Sequence, residues 1–260
     1  MKIGLQVLAY NCDKTIKKLL SPWIYSKSKY DIKIWVASGQ FKIYHDLGYE
    51  DENEETLKVL KRDLYHEVDY LFESSPGFLL SDHETRSSCL KYFREENIDL
   101  MIMLDSDEFY TLEDVERLLN YIEENPNFDW YSVNFRNLIG DGTKYVDYSP
   151  VRAIWFKKNG YVKKYYFDNH LVFDIEGRDY EYRQLKGKDI PKDILNPLHY
   201  TWTNELNTTG PSDIKRKIKY QEKYYSHECG WTWDETEGTI KPNPNFWGEN
   251  LPEVNNFNLR

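Results

Sequence analysis

Cysteine is scarce in this chain. Cys12, Cys89 and Cys229 lie far apart, are odd in number and have no metal-ligand spacing. That pattern excludes a disulfide framework and a cysteine-held zinc site, and it fits a reducing compartment. Long apolar runs are also missing. No segment reaches the length of a membrane span, and the opening Met1-Lys2-Ile3-Gly4-Leu5 reads as entry into a strand, not a signal peptide. The expectation is a soluble, cytoplasmic chain for which a peripheral encounter with a membrane stays open. Positive charge is in deficit, with 34 Lys and Arg against 44 Asp and Glu and a net charge of −10, so no extensive nucleic-acid footprint is expected. Neither a fixed-period repeat nor a low-complexity tract is present. What the chain holds in plenty is aromatic: 22 Tyr, 12 Phe and 8 Trp. Such rings fill cores, and those with a polar tip also suit sugar faces and wet clefts. With 40% apolar and 30% charged residues, the 260-residue chain is globular and long enough for a substantial core.

In chain order, residues 3–9 read as a strand, broken by Tyr10-Asn11-Cys12-Asp13. A helix over 14–20 follows, with Asn11 or Asp13 as N-cap and Pro22 ending or redirecting it. Residues 31–37 alternate as a second strand, with Ser38-Gly39 as the turn and a loop over 40–52. A helix over 53–66 carries Leu57, Leu60 and Leu64 on one face, and 68–72 is a third strand before a turn at Ser74-Ser75-Pro76-Gly77. Ser81 or Asp82 caps a helix to about Asn97. Thr111-Leu112-Glu113-Asp114 opens another as a capping box, and Pro126 closes it.

Strand and helix thus alternate through residue 126, which calls for a mainly parallel α/β sheet flanked by helices. The character then changes. Residues 129–139, 144–157 and 161–173 are strand-like, with hairpin signals at Gly140-Asp141-Gly142 and Lys158-Asn159-Gly160, and 198–202 is one more strand. A Lys-rich helix over 212–226 and an irregular tail complete the chain. The expected organisation is one domain: a ligand-binding half at 1–126, a mixed or antiparallel β-rich half at 127–226, and a tail at 227–260.

The stretch that organises this pattern is Leu100-Met101-Ile102-Met103-Leu104-Asp105-Ser106-Asp107-Glu108. Five apolar residues read as a strand buried on both faces, and ligands of open α/β sheets bind at the carboxyl ends of such strands. Asp105 and Asp107 fall on one side if the segment stays extended. Two such carboxylates suit Mg²⁺ or Mn²⁺ carrying a phosphate. The competing reading is a polar turn that leads into the next helix.

Taken together, these residues resemble a GT-A-fold glycosyltransferase of the family 2 type. The start Gln6-Val7-Leu8-Ala9-Tyr10-Asn11 is similar to the family's opening strand and nucleotide-binding turn. Arg86 falls where an arginine often precedes the metal motif, Asp105-Ser106-Asp107 matches the Asp-x-Asp motif, and His199 lies where a late histidine completes the metal or diphosphate site. The resemblance implies a nucleotide-sugar site at Ala9, Tyr10, Asn11, Ser38, Arg86, Asp105, Ser106 and Lys215, and Mn²⁺ or Mg²⁺ on Asp105, Asp107 and His199. The family's carboxylate at the end of the second strand is absent. Ser38 or Gln40 could replace it, or Asp46 or Asp51 could reach in. The acceptor's proton needs a base, for which Asp168 and His170 are chosen over Asp174 and Glu176. The implied reaction moves a sugar from a nucleoside-diphosphate sugar, UDP favoured, to a glycan, lipid, protein or modified-base hydroxyl. A nucleotidyltransferase acting on a sugar phosphate and a non-catalytic carbohydrate-binding protein of the same fold are the alternatives. The absence of a Gly-rich phosphate loop near the first strand weighs against the former.

Overall fold

The computed structural model describes residues 1–46, 53–79, 81–140, 144–156, 161–166, 170–176, 178–203, 231–234, 236 and 239–242. Strand β1 (Lys2–Ala9) has Ile3, Leu5 and Val7 fully buried, as a strand needs when it has neighbours on both sides and cover on both faces. Helix α1 (Ile16–Ser26) runs through Pro22 where the sequence predicts an end. A proline N–H is missing there, and the hydroxyl of Ser21 donates to the Lys18 carbonyl that it would have served, at 3.2 Å. Neither Asn11 nor Asp13 caps this helix. Thr15 holds the N-cap position without a side-chain bond to the helix's own N–H groups.

Strand β2 (Asp31–Phe41) continues past the expected turn at Ser38-Gly39. Helix α2 (Lys42–Asp46) stands in the expected loop, and helix α3 (Glu54–Arg62) follows. Strand β3 (Tyr70–Leu79) absorbs the expected Ser74–Gly77 turn. Its register against β2 steps from Ser38↔Glu73 to Gln40↔Phe78. Helix α4 (Asp82–Glu95) is capped by Ser81, strand β4 (Leu100–Asp105) and the short strand β5 (Glu108–Phe109) come next, and helix α5 (Leu112–Glu124) starts at the Thr111–Asp114 capping box.

Two long strands expected in the second half are each split. The first becomes β6 (Trp130–Ser132) and β7 (Phe135–Gly140), the second β8 (Lys144–Tyr148) and β9 (Val151–Trp155). Pro150 has no N–H to continue a ladder, and its carbonyl instead accepts from Val133 at 3.0 Å, so both breaks are tied together. Strands β10 (Tyr161–Tyr166) and β11 (His170–Ile175) pair antiparallel where one strand is expected, and β12 (Arg178–Glu181) extends them. After β13 (Gly187–Asp189) and β14 (Leu198–Thr203), strands β15 (Trp231–Asp234) and β16 (Thr239–Pro242) form a hairpin in a tail expected to be irregular. The Lys-rich helix expected over 212–226 lies outside the described residues.

The fold is mixed α/β. Its main sheet has the order β13-β6-β9-β4-β1-β2-β3, with β4, β1, β2 and β3 parallel and β9 antiparallel to β4. The chain divides into two units. The first, residues 1–106, 110–134 and 149–196, holds the main sheet and the β10-β11-β12 sheet, with a core that includes Trp35, Phe93, Met101, Ile154 and Phe156. The second, residues 107–109, 135–148 and 197–260, holds the β5-β14-β7-β8 sheet around Leu138, Leu198 and Tyr200. In the first unit the chain runs from β1 outward to β2 and β3, then returns to lay β4 on the other flank of β1. The carboxyl ends of β1 and β4 therefore form a topological switch point.

Candidate functional site

Asp105 is the last residue of β4, at the switch point, in register with Leu8 of β1. Arg86, from α4, donates through Nη2 to its Oδ1, and Arg152, from β9, donates through Nη2 to its Oδ2 at 2.9 Å. Both guanidinium side chains are nearly buried, at 4% and 9% exposure, while the Asp105 side chain keeps 29%. Charge-assisted bonds from two donors hold this carboxylate in one orientation. Gln6, the polar interruption of β1, explains why α4 stays registered. Fully buried, it donates to the Arg86 carbonyl at 2.9 Å and to the Cys89 sulfur. Burial pushes the Cys89 thiol well above its ordinary range, which keeps it a packed, neutral group.

Sequence reasoning missed Arg152. Its signal was there, an arginine inside the apolar run Val151-Arg152-Ala153-Ile154-Trp155, since a strand that buries a charge must supply its partner.

A second polar cluster lies at the ends of β1 and β2. The Asn11 N–H donates to Asn53 Oδ1 at 3.0 Å, Asn53 Nδ2 donates to Ser38 Oγ at 2.9 Å, and the Cys12 N–H donates to Thr56 Oγ1 at 2.7 Å. Gln40 Nε2 sits 3.4 Å from the Tyr10 hydroxyl. Ala9 and Ser38 are each 2% exposed, whereas Tyr10 and Asn11 are half-buried. Asp46 pairs with Lys42 in an exposed contact, and Asp51 lies outside the described residues.

In the second unit, Asp107 and His199 come together. The chain turns at Ser106 and Asp107, so the Asp-x-Asp segment is not one extended strand as expected. Asp107 Oδ1 lies 3.2 Å from His199 Nε2, and its carbonyl accepts the Tyr200 N–H at 2.9 Å. His199 also packs on Phe135, with ring centroids 5.8 Å apart. Strand register sets Glu108 and Asn137 on either side of His199, and paired residues share a face. All three are buried, and burial pushes the nearby Tyr200 phenol up to about 12.

Among the described residues no group of three or more His, Cys, Asp or Glu side chains is arranged to hold a metal ion. The imidazole nitrogen and carboxylate oxygen at hydrogen-bond distance would nevertheless offer a mixed donor pair, which Mn²⁺ would accept more readily than Mg²⁺, a cation that favours oxygen ligands. Asp105 differs from Asp107 in this respect, because guanidinium groups already occupy both of its oxygens.

Of the other expected residues, Ser106 lies in the turn after β4, His170 is the first residue of β11 opposite Tyr166, and Asp168 and Lys215 lie outside the described residues. Asp174 and Glu176 do not share a strand face. β11 ends at Ile175, and Glu176 turns with φ 50°.

No protein-family model matches the chain, and no curated protein matches it. Similar solved structures exist. S. aureus TarS 1-349 is 17% identical with a TM-score of 0.39, over 62% of this chain and 41% of that one. The mannosyltransferase PcManGT from Pyrobaculum calidifontis, in complex with GDP-Man and Mn²⁺, is 10% identical with a TM-score of 0.49, over 94% and 66%. A cytidylyltransferase from Leptospira borgpetersenii is 12% identical with a TM-score of 0.34, over 59% of each. The chain spans less than half the length of the TarS structures that it matches.

Proposed function

We propose that the protein is a divalent-cation-dependent glycosyltransferase that moves a sugar from a nucleoside-diphosphate sugar to an acceptor hydroxyl. The observation that carries this reading is the switch point itself, where β4 ends beside β1 in a carboxylate gripped by two nearly buried arginines. A site of this kind suits a phosphorylated, hydroxyl-rich ligand. Carboxylate oxygens accept from hydroxyl groups, and guanidinium groups donate to phosphate oxygens. In this reading Tyr10 and Asn11 face the nucleoside with Ala9 and Ser38 buried behind them, and Arg86, with Lys215, serves the diphosphate.

Asp107 and His199 are assigned as the protein ligands of Mn²⁺ or Mg²⁺. Such a cation supplies charge stabilisation to a leaving diphosphate. The acceptor's proton is assigned to Asp168, with His170 its neighbour in sequence. Strand β11, which His170 opens, pairs with β10, and β10 lies against α4, the helix of Arg86.

Calorimetric titration with UDP, GDP and CDP, with and without Mn²⁺, tests the reading. At least one diphosphate is expected to bind in a Mn²⁺-dependent way, and Asp107→Ala is expected to weaken that binding by about tenfold or more, in line with a lost metal ligand. Turnover of the matching nucleotide sugar should release the nucleoside diphosphate. Release of pyrophosphate from a nucleoside triphosphate and a sugar phosphate would assign a nucleotidyltransferase instead, and no binding to any nucleotide would sink both.

A further inference from the structure

The residue just before α3 ties the turn after β1 to the end of β2, and we propose that this residue, Asn53, positions the donor-nucleoside site. The proposal rests on the glycosyltransferase reading and deepens it.

Asn53 occupies the N-cap of α3, where asparagine ordinarily turns its side chain onto the first N–H groups of its own helix. Here it makes no such bond. Its Oδ1 instead accepts from the Asn11 N–H at 3.0 Å, while its Nδ2 donates to Ser38 Oγ at 2.9 Å. Three residues on, Thr56 takes the Cys12 N–H at 2.7 Å. Asn53 is 1% exposed and Thr56 is fully buried. Asn53 and Thr56 thus direct their side chains to the loop after β1, while the acidic Glu54 and Glu55 stay on the helix itself and pair with Lys58.

The consequence is a fixed backbone at the switch point. Asn11 has φ 45°, a left-handed conformation that asparagine adopts more readily than other non-glycine residues and that a hydrogen bond at the turn holds in place. The bond from its N–H to Asn53 is such a hold. Tyr10 and Asn11 retain exposure while Asn53 and Ser38 are buried. A nucleoside at this edge therefore meets Tyr10 and Asn11, and Asn53 acts on it through them. One amide spans both strand ends, so losing it releases the turn and Ser38 together.

Wild type, Asn53→Ser, Asn53→Asp and Asp69→Asn are titrated with UDP, GDP and CDP in the presence of Mn²⁺, with a thermal melt of each. Serine still caps a helix but is too short to span both partners. Asn53→Ser is expected to weaken nucleotide binding by about fivefold or more, the factor that goes with one or two lost hydrogen bonds. Asn53→Asp keeps an acceptor for the Asn11 N–H and can accept from a rotated Ser38 hydroxyl, so it should recover most of the affinity. Asp69→Asn, at the opposite edge of the sheet, should lower the melting temperature without weakening binding. Should Asn53→Ser fail to fold, Ser38→Ala cuts one arm of the bridge and is expected to cost about threefold. A nucleotide-binding wild type with smaller losses in these variants, or equal losses in the Ser and Asp variants, overturns the positioning role alone. A wild type that binds no nucleotide removes the functional reading, and this proposal with it.

Discussion

The two edges of the parallel strands handle polar groups in opposite ways. At the amino edge, Asp99 accepts from the Lys2 N–H at 2.7 Å and Asp69 from the Ile34 N–H at 2.8 Å, and Asp69 also pairs with the ammonium groups of Lys27 and Lys33. These carboxylates finish the ends of strands, and the ion pairs of Asp69 join part-exposed lysine side chains, so water screens them. At the carboxyl edge, Arg86, Arg152, Gln6, Gln40, Ser38 and Asn53 are all buried. Burying that many polar groups costs free energy unless each is matched, and a fold keeps such a network where it needs a fixed geometry. The difference separates a structural rim from a candidate site within one sheet.

The comparison is most exposed at Asp105. Asp105→Ala removes the carboxylate that two nearly buried arginines share, which should destabilise the protein by about 2–4 kcal/mol, below the usual range for a wholly buried pair because Asp105 is partly exposed. The midpoint of urea unfolding measures this. Adding Arg152→Met should recover part of the loss, since removing the second charge removes its desolvation as well. If Asp105→Ala costs no more than a change at Asp69, the two edges are energetically alike and the contrast fails.

Gln6→Leu comes next in size. It keeps the volume in β1 but leaves the Arg86 carbonyl without its 2.9 Å donor, at a cost of about 1–3 kcal/mol. Because α4 also carries the guanidinium on Asp105, nucleotide affinity should fall along with the unfolding midpoint. A fall in stability alone would make Gln6 a core residue and nothing more.

What could be read from the sequence was local. The apolar run that ends in Asp105, the Ser81 cap and the Thr111 capping box are written in adjacent residues, and the structure has each of them. The partners were not legible in the same way. Arg152 meets Asp105 across 47 residues and Asn53 meets Asn11 across 42. Periodicity says what a segment is and is silent about which segment lies beside it. Asn53 was also disguised, since it reads as the first residue of the expected helix over 53–66. The breaks before Phe135 and at Pro150 escaped for a related reason. Each expected strand was read as continuous in spite of Pro150, and its halves pair in different sheets.

The smallest expected effect lies at the amino edge and sharpens the contrast through pH. Burial pushes the Asp69 carboxyl up, but the Ile34 N–H and the ammonium groups of Lys27 and Lys33 outweigh it, and the group sits below its ordinary range. A carboxyl with a lowered folded pKa contributes stability in full above its unfolded value of about 4 and loses it as pH falls through the folded value. Asp69→Asn should therefore cost about 1 kcal/mol at neutral pH, and the gap to wild type should close as the pH drops below about 4. Nucleotide affinity should not change at any pH where both proteins are folded. A variant that loses affinity in step with stability would make the amino edge part of the site, and the division between rim and site would have to be redrawn.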